Sequence, residues 1–341
     1  MKVLMIGGTG TISMAITRQL AARGEDVTLL NRGNRSAALP EGVKTICADI
    51  NDEADARQKL EGMSFDVVCE FIGFVPEQLE RDIRLFSGKT KQFMYISSAS
   101  AYQKPLSDYK ITESTPLANP YWQYSRNKIA CEELLMKAYR ETGFPVTIVR
   151  PSHTYDERTL PLGADAPKGA WPVVKRMLEG KRVIMHGDGA TLWTVTHNTD
   201  FAKGFIGLMG NVHAIGDCFH ITTDESLTWN QIYSIVADAL GVAFKPCYVP
   251  SDFLADTAYY DLGSGLIGDK SNTVVFDNSK LKRAVPSFCA TMRFDQGARL
   301  SVAYMLSHPE CQREDPAYDE WCGRVISAMD QAREAVKAGN H

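Results

Sequence analysis

Three groups of residues have the types and spacings to do chemistry. Tyr124 and Lys128 lie four apart in Tyr124-Ser-Arg-Asn-Lys128, so on a helix they share a face. An ammonium beside a phenol stabilises phenolate and draws the phenol below its reference pKa of about 10. Such a phenol suits general acid/base work near neutrality. The run Tyr95-Ile96-Ser97-Ser98-Ala99-Ser100 brings hydroxyls to the end of an apolar segment. Ser98, with Ser100 as the alternate, would donate to the substrate oxygen whose proton Tyr124 handles; the rival reading of either serine singly is a turn former. The third group is Gly7-Gly8-Thr9-Gly10-Thr11-Ile12-Ser13, directly behind the first apolar run. Its Gly8-x-Gly10-x-x-Ser13 is a dinucleotide fingerprint with the last glycine replaced by another small residue. The glycines allow a tight turn and close approach to pyrophosphate, and the helix that follows presents free N–H groups and a positive dipole end.

The end of the second strand helps choose the cofactor. An acidic residue there would bond the ribose 2′-hydroxyl of NAD. The sequence instead reads Asn31-Arg32-Gly33-Asn34-Arg35. Arg32 and Arg35 are suited to a 2′-phosphate through forked, charge-assisted contacts, so NADP is favoured over NAD; the rival reading is two solvated loop arginines. Asp49 and Ile50, after the third strand, would flank the adenine. Phe71-Ile72-Gly73, after the fourth, would line the cofactor trough.

These groups need a scaffold, and the first half of the chain supplies one by alternating strand and helix. Short apolar runs at Val3–Ile6, Asp26–Leu30, Lys44–Ala48, Asp66–Glu70, Gln92–Ile96 and Pro145–Val149 read as strands. Helical stretches fall at Thr11–Arg23, Ala54–Leu60, Pro76–Phe86 and Trp122–Glu141, with Gly143 placed as a C-terminal glycine. The alternation implies right-handed crossovers and a parallel, doubly wound α/β sheet of Rossmann type, which binds its ligand beyond the strands' carboxyl ends. After Arg150 the pattern loosens: Pro151–Lys168 reads as loop. Helices follow at Val173–Leu178, Thr199–Met209 and Trp229–Leu240, and short strands at Arg182–Met185, Cys218–Thr222 and Lys245–Val249. The expected organisation is a dinucleotide-binding domain over 1–165, with returns near 182–222, and a smaller C-terminal substrate-binding α+β domain over 166–341. A polar amphipathic helix near Tyr318–Lys337 would close the chain on its surface.

The chain has 341 residues, 44% hydrophobic and 23% charged, with a formal charge of −4. That excludes disordered and fibrous classes and argues against a broad grip on nucleic acid. Eight cysteines form no Cys-x-x-Cys pair and seven histidines show no ligand spacing, so buried free thiols and no metal are expected. No signal-peptide pattern and no membrane-spanning run is evident; a soluble cytoplasmic protein is expected.

Taken together, Gly7-Gly8-Thr9-Gly10, Ser97-Ser98-Ala99-Ser100-Ala101-Tyr102, Tyr124-x-x-x-Lys128, Arg150-Pro151, Gly187-Asp188-Gly189 and His197-x-x-Asp200 resemble an extended short-chain dehydrogenase/reductase of the NAD(P)-dependent epimerase/dehydratase branch. The likeness covers about residues 1–210 and is specific for the superfamily rather than for a substrate. It implies that Tyr124 is the acid/base, that Ser98 is its partner and that Lys128 holds the nicotinamide ribose while tuning Tyr124. It also implies that Pro151, Ser152 and His153 sit near the carboxamide end of the nicotinamide. Hydride would pass between the cofactor and a hydroxyl-bearing carbon of a sugar or nucleotide-sugar. Dimerisation through Pro76–Phe86 and Trp122–Glu141 is a family mode.

The sequence departs from that family in two places. Dehydratases carry an Asp-Glu pair directly after the catalytic Ser or Thr, where Ala99 and Ser100 stand here, so dehydration is disfavoured. Sugar-nucleotide members place an arginine on the diphosphate at the position of Trp193, and an indole cannot replace it. Trp193 would stack on a sugar or pack in the core; Lys175, Arg176 or Lys181 would have to supply the missing charge. His153 and Tyr155 follow Arg150-Pro151 in a loop expected to face substrate, with His153 a candidate second acid/base. His186 and His197 read as structural. The favoured function is therefore an oxidoreductase or epimerase, with an NADPH-dependent carbonyl reductase of a small non-nucleotide substrate as runner-up. A non-catalytic RNA-binding relative and a redox-sensing regulator are the remaining rivals.

Overall fold

The computed structural model describes residues 1–33, 39–257 and 259–339. Seven strands make one sheet: β1 (Lys2–Ile6), β2 (Asp26–Asn31), β3 (Lys44–Cys47), β4 (Phe65–Glu70), β5 (Thr90–Ile96), β6 (Val146–Pro151) and β7 (Asp217–Ile221). All pairs are parallel, and the order is β3-β2-β1-β4-β5-β6-β7. The order reverses between β1 and β4, which opens a crevice beyond their carboxyl ends. The inner strands are buried on both faces, β1 from Val3 to Ile6, which explains their unbroken apolar runs.

Helices cover both faces. α1 (Thr11–Ala22) and α6 (Asn198–Leu208) lie on one side, over a core that includes Ile16, Leu29 and Phe205; α2 (Glu53–Lys59), α3 (Pro76–Phe86) and α4 (Gln123–Thr142) enclose a second, with Leu79, Phe93 and Leu135. Local chemistry sets their ends. Asp52 caps α2 by accepting from the Asp55 N–H at 3.1 Å, Pro76 opens α3, and Gly143 ends α4 at φ +72°.

A third core belongs to the rest of the chain. It packs α5 (Trp171–Leu178), α7 (Trp229–Leu240), helix Phe294–Ser307 and the terminal helix Pro316–Ala338 around Trp193, Trp229 and Trp321. Asp217–Ile221 returns to the main sheet, whereas Val183–His186 pairs with Pro246–Val249 instead. The stretch read as loop after Arg150 holds a short strand, His153–Tyr155, parallel to Val195–His197. Its backbone finds partners there that no local pattern announces. Among the described residues no helix is long and apolar enough to cross a membrane, all cysteines are free and no His/Cys/Asp/Glu cluster could hold a metal.

Candidate active site

The crevice at the β1–β4 switch is a trough of about 550 Å³. The glycine turn forms its floor. Gly7 has φ +101°, and a Cβ there would come within 2.9 Å of Ile72, so both conformation and space call for glycine. At Gly8 a Cβ would stand 2.4 Å from the Leu29 side chain, which lets α1 pack close on the sheet. Ser13 occupies the third glycine's place and is buried, its hydroxyl accepting from the Gly10 N–H at 2.9 Å. The first helical bond runs from the Met14 N–H to the Gly10 carbonyl, so the N–H groups of Thr11 and Ile12 have no partner in the helix. A turn that excludes side chains and ends in free N–H donors fits a dinucleotide pyrophosphate.

The same trough is lined by Asn31 and Arg32, Asp49 and Ile50, and Phe71 and Ile72, as the sequence predicts. Gly8 and Gly73 lie behind its wall. Arg35 falls outside the described residues, so Arg32 is the arginine placed at the rim. Sequence reasoning missed Ala48, Asn51, Phe74 and Gln78. Phe74, 45% exposed in the trough, stands one residue past the Phe71–Gly73 segment that the sequence marks.

From the trough, α4 leads to the second cavity. Tyr124, Lys128 and Glu132 follow one another at four-residue steps along the helix face that meets the end of β5. Glu132 accepts from the Ser97 hydroxyl and holds Arg150 through Nε at 2.9 Å, all three being buried. Lys128, 1% exposed, donates to the carbonyls of Gly73 at 2.7 Å and Ile96 at 2.8 Å. Its ammonium lies over the rings of Phe74 and Tyr95 and 5.8 Å from the centroid of Tyr124.

Tyr124 opens into a cavity of about 290 Å³ with Ser98, Ser100, Trp122, Pro151, Ser152, His153, Trp193, Asp269 and Lys270 on its walls. Ser98 and Ser100 share a hydroxyl contact at 2.9 Å, and Ser125 donates to Ser100 at 2.8 Å. Another wall is a π turn, Leu266–Lys270. The Asn119 side-chain amide ties that turn to the serine segment, donating to the carbonyls of Ser100 at 2.8 Å and Gly268 at 2.7 Å.

The electrostatics differ from the expectation at Tyr124. Burial pushes its phenol above the usual value, and the Ser98 hydroxyl beside it acts the other way. Lys128 is itself pushed down to about 8 by burial. Its ammonium is directed at two carbonyls, so the tyrosine keeps its proton at neutrality. His153 is driven down to about 3, again by burial. The Trp193 indole N–H donates to its Nδ1 at 3.2 Å, which leaves a neutral ring with its proton on Nε2. His153 is thus uncharged at neutral pH, which does not suit it to the role of a second acid/base.

Tyr155 is a correction. It is 1% exposed and packs edge-on against His197 and Phe294. Two residues of strand beyond His153, roughly 7 Å, carry it past the cavity and into the C-terminal core. Trp193 is also buried, stacked on Trp229 at 5.0 Å, yet it still forms part of the cavity wall. The lysines and arginine proposed to replace the missing diphosphate grip are engaged elsewhere: Lys175 with Glu314, Arg176 with Asp319, and Lys181 with Glu179 and Asp319. His197 caps α6, accepting from the Thr199 N–H, and His186 is buried beside Trp229.

Residues 3–221 match the NAD dependent epimerase/dehydratase family, which covers the sheet, the trough and the Tyr124–Lys128 helix. The chain belongs to this family. It is an NAD(P)-dependent α/β enzyme of the epimerase/dehydratase type. A 2′-dehydrokanamycin reductase of Streptomyces kanamyceticus is 28% identical over 84% of this chain and 80% of its own length. A chloroplast stem-loop binding protein of Arabidopsis thaliana is 27% identical over 70% of this chain, which spans 63% of that relative. In fold, a UDP-glucuronic acid 4-epimerase from Bacillus cereus, solved with UDP-glucuronic acid and NAD, superposes with a TM-score of 0.71 at 19% identity. That match covers 90% of this chain and 99% of the other.

Proposed function

We propose that this family member is an NADP-dependent carbonyl reductase, reversibly an alcohol dehydrogenase, acting on a sugar that carries no nucleotide. One observation supports the reading above the others: Tyr124, Ser98 and Trp193 converge on a single cavity of about 290 Å³. Just under the ~300–1,000 Å³ usual for small-molecule sites, it suits one sugar ring. The position that would grip a diphosphate is an indole locked between His153 and Trp229. The relative from S. kanamyceticus, named for reducing a dehydrokanamycin, points the same way; the family's nucleotide-sugar epimerases are the competing precedent.

The glycine turn and the N–H groups of Thr11 and Ile12 would hold the pyrophosphate of the cofactor, Arg32 its 2′-phosphate, and the one Lys128 N–H not given to a carbonyl its ribose. Bound there, the dinucleotide supplies the hydride. Ser98 donates a hydrogen bond to the substrate carbonyl oxygen. Tyr124, kept protonated by burial, passes its proton to that oxygen as it gains charge, which favours the reductive direction. The chain's net charge of −4 gives no support to the stem-loop relative's RNA binding as an alternative.

The test offers the protein NADPH or NADH with free keto-sugars and, separately, with UDP-glucose. NADPH is expected to be consumed one-for-one with the keto-sugar. In Arg32→Ala the preference for NADPH over NADH falls about tenfold or more, the worth of a charge-assisted contact. Interconversion of UDP-glucose and UDP-galactose without net cofactor consumption would overturn the proposal.

A further inference from the structure

The cavity wall formed by the π turn carries a charge that the proposed function leaves unused. Asp269 sits on the π turn with its side chain 19% exposed, and π turns gather at functional sites. Among the described residues no donor reaches its carboxylate within hydrogen-bond distance; the nearest cation, Lys104, stands 3.6 Å away, buried and with no hydrogen-bond partner of its own. A carboxylate has about four lone-pair positions, so a loose contact with Lys104 leaves it able to accept more. The other charge on the wall, and one nitrogen of His153, are already engaged. The Lys270 ammonium donates to the Gly163 carbonyl at 3.1 Å and lies 3.4 Å from Asp165. His153 Nδ1 accepts from Trp193.

We infer that Asp269 selects an aminated sugar, its carboxylate receiving the substrate's ammonium group between the Trp122 and Trp193 walls. This deepens the non-nucleotide reading and rests on it. A hydroxyl would also satisfy the carboxylate, but an ammonium adds charge and makes the hydrogen bond charge-assisted. A phosphate or carboxylate on the substrate would instead meet repulsion at the same place.

The experiment measures binding to the NADP-loaded protein of three matched probes: methyl 2-amino-2-deoxyglucoside, its N-acetyl derivative and methyl glucoside. The aminated probe is expected to bind about tenfold or more tighter than the other two, and Asp269→Asn is expected to erase the difference. Because that change leaves Lys104 buried beside a neutral amide, the double variant Lys104→Met/Asp269→Asn removes both charges and gives the same readout if the single variant folds poorly. Equal binding of the three probes, failure of the aminated probe to bind, or a preference that survives in both variants overturns the inference. Reduction of neutral keto-sugars alongside any of those results leaves the proposed function standing; turnover of UDP-glucose removes that function itself.

Discussion

The trough and the cavity are neighbours built by opposite means. The trough is built around a glycine turn, a helix N-terminus and four strand ends within the first 74 residues, with Gln78 and Ile96 completing its wall. The cavity is made of side chains brought together from Ser98 to Val274. Its charged groups are buried, paired or tied to carbonyls. The trough's floor needs glycine at Gly7 and Gly8, where a Cβ would clash, and beyond them it offers main-chain N–H groups that any residue but proline carries. A site assembled from side chains depends on each of them and on whatever holds it.

That contrast can be broken or sharpened by experiment, and the largest effect is expected at the phenol. Tyr124→Phe removes the proton donor, and turnover should fall about 10²–10⁴-fold, while dinucleotide affinity, read by fluorescence titration, stays near wild type. An equal loss of both would show that the two regions are one unit. Next comes the support behind the cavity. Glu132→Ala strands the Arg150 guanidinium, 5% exposed, and should cost about 3–5 kcal/mol of stability, measured as a lower urea midpoint; a surface-like loss under 1 kcal/mol would contradict the ladder described along α4.

The smallest effect is a pH dependence of folding. Burial holds His153 at about 3 and His186 and His220 at about 4, all below the unfolded value near 6.5. The unfolded chain therefore takes up protons that the native one refuses. The stability these rings contribute is complete above pH 6.5 and is lost as pH falls from there through 4. Near pH 5, unfolding should bind about three protons from these rings, and His220→Gln should lower that uptake by one; uptake unchanged in that variant would mean the ring is already charged in the native state.

How much of each region could be read from the sequence follows from the same contrast. Gly7 to Ile12, Arg32, Asp49 and Phe71 were legible because each stands at a fixed offset from a strand end, and an apolar run announces a strand. Tyr124 and Lys128 were legible from helical spacing. Asp269 and Lys270 were not: they come from a π turn that no periodicity marks, and only the packing of the third core brings them to Ser98. Tyr155 misled because nearness in sequence to His153 was taken for nearness in space. The effect of Lys128 on Tyr124 misled for another reason. Spacing places two side chains on one face, but it does not reveal that the carbonyls of Gly73 and Ile96 claim the ammonium first.

The Asn119 amide, clasped at once by the Ser100 and Gly268 carbonyls, has a consequence for anyone wishing to retune this enzyme. On the proposed function, the wall that would sort incoming molecules is bolted to the segment that would act on them. Remodelling the π turn for a new guest drags the reacting hydroxyls with it, so choice and speed must be re-engineered together.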